Sequence, residues 1–182
     1  MKDEHLANVD ELQSYLIHRI EKFLNNHGRH LLGWDEILQG GIAPNATVMS
    51  WRGERGHRCR NLRPSCIMTP GAYCYLDSYQ DAPYSQPEAI GGYLPLKKVY
   101  SYNPVPASLT AEQAKLVYGV QGNLWVEYIP TPEHVEYMIY PRILALAETA
   151  WSAPERKSWP DFHTRALSAV ADLQAKGYHP SI

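Results

Sequence analysis

The chain has 182 residues, 45% of them apolar, with 17 basic side chains against 19 acidic ones. That balance suits one domain with a buried core, residues 1–182, or a portion of a larger one. It excludes the basic excess of a nucleic-acid binder and the polar bias of a disordered tail. No apolar run reaches the roughly 18 residues of a membrane span, and the start, Met1-Lys2-Asp3-Glu4-His5, lacks the apolar stretch of a signal peptide. Three cysteines, an odd number, argue against a disulfide framework. The aromatic set is unusual: 13 Tyr and 5 Trp against 2 Phe. Polar-tipped aromatics suit surfaces with one wet side, such as binding clefts.

In chain order, Leu12, Leu16, Ile20, Phe23 and Leu24 fall at the spacing of one helical face, predicting a helix over about 10–26. Asp10 with Gln13 has the form of a capping box, and Gly28 stands where a left-handed terminal residue is wanted. Strands are predicted at Arg29–Trp34, Ala46–Trp51, Cys66–Thr69 and Tyr118–Trp125, the second set off by Gly40-Gly41 and Pro44-Asn45. The stretch 77–106, rich in Pro, Gly and Tyr, is long for a connector and reads as a working loop or a poorly ordered one. Thr110 and Gln113 can cap a short helix. Thr131-Pro132-Glu133 opens another with proline in its first turn, which Pro141 interrupts. Further helices are predicted over about 142–151 and 161–176. Strands alternating with helices indicate a parallel α/β fold.

All four strands run into a Trp, a Tyr or a carboxylate: Gly33-Trp34-Asp35-Glu36, Ser50-Trp51-Arg52, Tyr73-Cys-Tyr75-Leu-Asp77 and Asn123-Leu-Trp125-Val-Glu127. In a (β/α)₈ barrel these C-terminal strand ends form the active-site face. Indoles there offer flat apolar walls, while Asp77 and Glu127 can accept hydrogen bonds from hydroxyls, a combination suited to a sugar. Core packing would account for any single Trp; the repetition at four strand ends favours a carbohydrate site.

The ordered motifs Leu32-Gly-Trp-Asp-Glu-Ile-Leu38, Val48-Met-Ser-Trp-Arg-Gly53, Met68-Thr-Pro-Gly71, Tyr75-Leu-Asp77, Gly119-Val-Gln-Gly-Asn-Leu-Trp-Val-Glu127 and Tyr140-Pro-Arg-Ile-Leu-Ala-Leu-Ala-Glu148 resemble the β-N-acetylhexosaminidases of glycoside hydrolase family twenty. The resemblance runs from about residue 10 to residue 165. It implies an α/β fold corresponding to the C-terminal half of a (β/α)₈ TIM barrel, about four βα units, incomplete as a single chain. It implies substrate-assisted retaining hydrolysis of terminal N-acetylglucosamine or N-acetylgalactosamine, in which the 2-acetamido oxygen attacks the anomeric carbon. The family's general acid Glu and assisting Asp belong to a His-x-Gly-Gly-Asp-Glu motif that this sequence does not contain. Asp35-Glu36 matches a different family position and is not assigned as the acid.

What carries over by resemblance is the pocket. Trp34, Trp51 and Trp125 would box the acetamido methyl, Tyr75 would donate a hydrogen bond to the acetamido oxygen, and Asp77 and Glu127 would bind sugar hydroxyls. Arg142 and Glu148 read as structural. No cofactor or metal is implied: His57-Arg-Cys59 lacks a paired ligand motif. The partners implied are N-acetylhexosamine-containing glycans, with no nucleic acid and no membrane span. The isolated chain is expected to be inactive, or a vestigial hexosamine-binding fragment, and to be marginally stable, to pair with a second copy or to aggregate, since half a barrel leaves open edges. The parent enzyme would be periplasmic, secreted or lysosomal; this chain itself carries no address.

One segment departs from the family. Where a small-residue helix is usual, Gly56-His-Arg-Cys-Arg-Asn-Leu-Arg-Pro-Ser65 is polar and rich in Arg. Read one base later with permitted codons, its first five residues become Gly-Ile-Ala-Ala-Ala, which points to a compensated frameshift over residues 56–65 that resequencing would test.

Overall fold

The computed structural model describes residues 4–41, 43–52 and 65–181; the segment 56–64, with its frameshift reading, lies outside them. The chain divides into two compact units, Met1–Met68 with Val105–Gly119, and Thr69–Pro104 with Val120–Ile182.

In the first unit, helix α1 (Val9–Asn26) starts one residue earlier than the periodicity predicts, because Asn8 is the cap. Its extended backbone lets its side chain accept the Glu11 N–H at 2.9 Å. The predicted Asp10–Gln13 box does not form; the Gln13 amide instead donates to the Glu36 carbonyl at 2.8 Å. Gly28 takes the expected left-handed conformation, φ +67°. The apolar stripe is turned outward: Val9, Leu12, Leu16, Ile20 and Phe23 are 39–71% exposed, whereas Ser14 and Glu21 are buried. A loop packs on that polar side. The Asn45 N–H donates to Glu21 at 2.8 Å, and a Cβ on Gly40 would lie 2.0 Å from the Asp10 carbonyl oxygen, so only glycine permits the approach.

Strands β1 (Leu32–Trp34), β2 (Thr47–Ser50), β3 (Cys66–Met68) and β4 (Val117–Val120) form one sheet in that order. The first three pair in parallel, with Gly33 opposite Val48 and Val48 opposite Cys66. Val48, Met49 and Ser50 are all buried, as expected of a parallel strand covered on both faces. Helix α4 (Ala111–Ala114) carries the predicted reciprocal box between Thr110 and Gln113. Cys66 is disulfide-bonded, against the expectation drawn from the odd cysteine count.

The second unit opens with α2 (Gly71–Cys74), after which Tyr75 and Asn123 form a parallel bridge. Leu76 N–H donates to the Asn123 carbonyl and Asn123 N–H to the Cys74 carbonyl, both at 2.7 Å. The stretch 77–106 is ordered rather than loose, holding a 3-10 turn at Pro83–Ser85 and helix α3 (Leu96–Ser101). Thr131 caps α5 (Pro132–Ile139) through the His134 N–H, and Pro141 separates it from α6 (Arg142–Trp151), both as predicted. Helix α7 (Trp159–Ala175) begins two residues before the predicted start, with proline in its first turn. Leu76, Leu94, Val99, Met138, Leu146 and Phe162 are buried within this second unit. Tyr100 stacks on Phe162 at 4.4 Å and donates to Glu148, which Arg165 also contacts at 2.6 Å.

Candidate functional site

The first unit sets two predicted indoles at successive strand ends. Trp34 closes β1 and leads into a 3-10 turn, Asp35–Leu38; Trp51 follows β2. The pair Asp35-Glu36 is an anchor for the second indole. Glu36 accepts the Trp51 indole N–H with both oxygens, at 3.1 and 3.2 Å. Asp35, 2% exposed, accepts the backbone N–H groups of Trp51 and Arg52 at 3.3 Å each and Arg52 Nε at 2.5 Å. The Arg52 guanidinium also lies over the Trp51 ring, 5.9 Å from its centre. A carboxylate engaged by three donors is poorly placed to act as a proton donor.

The second unit brings the other four predicted residues together. Tyr75, Asp77, Trp125 and Glu127 line one open cavity of about 480 Å³, with Ile90, Gly91 and Gly92 forming further wall. Trp125 is not at the end of a strand: β4 stops at Val120, and the chain then leaves the sheet. Two contacts explain that departure. Leu146 packs so closely on Gly122 that a Cβ there would meet it at 2.9 Å. Asn123, buried, donates to the Thr69 hydroxyl at 2.5 Å and accepts from Gln121 at 2.8 Å, which fixes the bridge to Tyr75. Trp125, two residues on, is left 44% exposed at the cavity.

Asp77 is the electrostatic focus. It is 3% exposed, and its Oδ1 has no hydrogen-bond partner. Burial pushes its carboxyl above the ordinary aspartate range and Glu127 adds to the rise, while its own backbone N–H and the charge of Arg142 oppose it. Arg142 is fully buried and donates to four carbonyls: Leu76 (2.5 Å), Ser78 (2.9 Å), Leu94 (3.0 Å) and Met138 (2.6 and 3.2 Å). Burial draws its pKa down to about 9, so it keeps its charge at neutral pH.

Sequence reasoning did not single out the wall at Ile90–Gly92 or the anchoring work of Asp35 and Glu36. The signal for the wall is the pair Gly91-Gly92, both with positive φ (+122° and +70°). A Cβ on Gly92 would lie 2.9 Å from the Ser78 hydroxyl, next to Asp77. Among the described residues no three His, Cys, Asp or Glu side chains are grouped to hold a metal, and no helix is long and apolar enough to cross a membrane.

Residues 1–154 match the model of glycosyl hydrolase family 20, catalytic domain. The chain is 50% identical over 183 residues to a beta-hexosaminidase of Porphyromonas gingivalis, covering 98% of this chain and 24% of that protein. It is 33% identical to a beta-hexosaminidase of Vibrio furnissii, covering 81% and 25%. It thus spans about a quarter of the length of these curated relatives. The exo beta-N-acetylglucosaminidase of Vibrio harveyi, solved with N-acetylglucosamine, superposes with a TM-score of 0.88 at 29% identity, over 100% of this chain and 29% of that one. The α/β fold is therefore a part of the TIM barrel of these enzymes. A parallel sheet in sequential strand order, indoles and carboxylates past the strand ends, and a family match over most of its length place the chain in glycosyl hydrolase family 20, within the catalytic domain.

Proposed function

We propose that this chain supplies the acetamido- and hydroxyl-binding side of a β-N-acetylhexosaminidase site for terminal N-acetylglucosamine or N-acetylgalactosamine. The observation that carries the reading is the Asp77 carboxyl: nearly inaccessible, with an unpartnered Oδ1, in the cavity it shares with Tyr75, Trp125 and Glu127. An orphaned buried polar atom costs about 1–3 kcal/mol, and a sugar hydroxyl donating to it would remove that penalty. Glu127 accepts from a second hydroxyl. Trp125 walls the acetamido methyl against water. The Tyr75 phenol donates to the acetamido oxygen and holds it within the roughly 3–3.5 Å of the anomeric carbon that attack requires.

In substrate-assisted retention the acetamido oxygen forms the new bond at the anomeric carbon as the glycosidic bond breaks, and an external acid must protonate the leaving oxygen. The residues of this chain bind and orient; the acid Glu and assisting Asp belong to the His-x-Gly-Gly-Asp-Glu motif, which this sequence lacks. The isolated chain therefore binds N-acetylhexosamine without hydrolysing glycosides. The outward apolar stripe of α1 favours self-association of that isolated chain.

The test is hydrolysis of nitrophenyl N-acetyl-β-glucosaminide alongside binding of N-acetylglucosamine. Binding without turnover is expected. Turnover abolished by Glu127→Gln yet retained by Tyr75→Phe would overturn these roles.

A further inference from the structure

Arg142 holds a charge in the core of its unit without a carboxylate bonded to it: its hydrogen bonds all end on backbone carbonyls. A buried charge is costly, and an apolar side chain of similar volume would fill the space more cheaply. The carbonyls it selects give the reason. Leu76 and Ser78 flank Asp77, so two of the bonds clamp the backbone on either side of the cavity carboxyl. Leu94 ends the glycine-rich wall: its N–H donates to the Tyr79 carbonyl at 2.8 Å, and the Tyr79 N–H donates to the Gly91 carbonyl at 3.3 Å. One guanidinium thus ties the Asp77 segment and the Ile90–Gly92 wall to the first turn of α6. A planar fork with five donors can bridge three separate strands of backbone; a lysine ammonium on a flexible stem cannot.

We infer that Arg142 is a positioning residue for the sugar site, fixing the direction of the Asp77 carboxyl through Leu76 and Ser78 and the facing wall through Leu94. The inference rests on the reading that Asp77 receives a sugar hydroxyl. The charged and titratable groups that bear on the pair are Glu127 on the Asp77 side and Tyr137 on the Arg142 side.

The experiment is a double-mutant cycle on the full chain, with N-acetylglucosamine affinity as readout and a thermal melt of each variant. Arg142→Lys is expected to bind about tenfold more weakly at unchanged net charge, and Arg142→Lys with Asp77→Asn no more weakly than Asp77→Asn alone. Additive losses would overturn the inference, since a residue that merely supports the fold weakens binding independently of the carboxylate. Should the lysine variant not fold, the wild-type chain decides: saturation with the sugar should shift the Arg142 Nε–Hε resonance, and the shift should vanish in Asp77→Asn. A resonance unmoved in the wild type overturns the inference. Undiminished binding by Asp77→Asn, or no binding by the wild type, refutes the sugar reading itself, a result distinct from additivity.

Discussion

Asp77→Asn should trade affinity for stability. The substitution is nearly isosteric, and the amide oxygen can still accept the residue's own backbone N–H, leaving the NH₂ to face the cavity where Oδ1 now stands unpartnered. A sugar hydroxyl would then lose a charged acceptor. Hydrogen bonds to charged groups contribute about 1.5–3 kcal/mol, so affinity for N-acetylglucosamine should fall about 10- to 150-fold. Stability should move the other way. Burial raises the folded-state pKa of Asp77 above the ordinary aspartate value. The native state therefore binds the proton more tightly than the unfolded chain does. That contribution is fully present below the unfolded pKa and is lost as pH rises through the folded one. As pH rises through the folded value, the wild type takes on a destabilising charge that Asn never carries. Calorimetric titration and thermal melts at pH 7 and pH 4 test both halves. The variant should melt higher than wild type at pH 7, with the gap narrowing at pH 4. Wild-type affinity combined with a lower melting temperature at neutral pH would refute the reasoning.

Three other outcomes are expected. Gly92→Ala should destabilise by about 2 kcal/mol, because alanine disfavours a φ of +70° and its Cβ would press on the Ser78 hydroxyl at 2.9 Å; denaturant melts would show it. Glu36→Leu should cost about 1 kcal/mol by removing the acceptor that both carboxylate oxygens offer the Trp51 indole N–H, and the indole resonance of Trp51 should broaden or move; an unchanged resonance would mean the anchor is dispensable. Leu16→Glu with Phe23→Glu should reduce self-association in sedimentation without lowering the melting temperature, since both residues are more than half exposed.

Helix and strand identity is legible where period and turn signals agree, as at α1, β2, β3, α5 and the break at Pro141, although the cap of α1 is Asn8 rather than Asp10. It misjudged where polarity and burial part company. The spacing of Leu12, Leu16 and Ile20 marks a face, but nothing local says that Ser14 and Glu21 are the buried positions, since that depends on the loop at Gly40 and Asn45. β4 ends five residues before the sequence pattern suggests, because Gly122 and Asn123 answer to Leu146 and Thr69, contacts set by the tertiary fold. The order of 77–106 was invisible for the same reason: its organiser, Arg142, lies 48 residues beyond Leu94 and 64 beyond Ser78. Of the candidate site, motif resemblance singles out Tyr75, Asp77, Trp125 and Glu127, which line one cavity. The Asp35-Glu36 pair was visible as residues but not as the support of Trp51, because carboxylates in sequence do not declare their donors.

The most direct test is an NMR titration of the labelled chain with N-acetylglucosamine against glucosamine and glucose, watching the indole N–H signal of Trp125 and the amides around Tyr75 and Asp77. Saturable shifts confined to those positions, produced by the N-acetyl sugar and much weaker with the two sugars lacking the acetyl group, are expected. Equal responses to all three sugars, or shifts that bypass Tyr75 and Asp77, would contradict an acetamido-binding site.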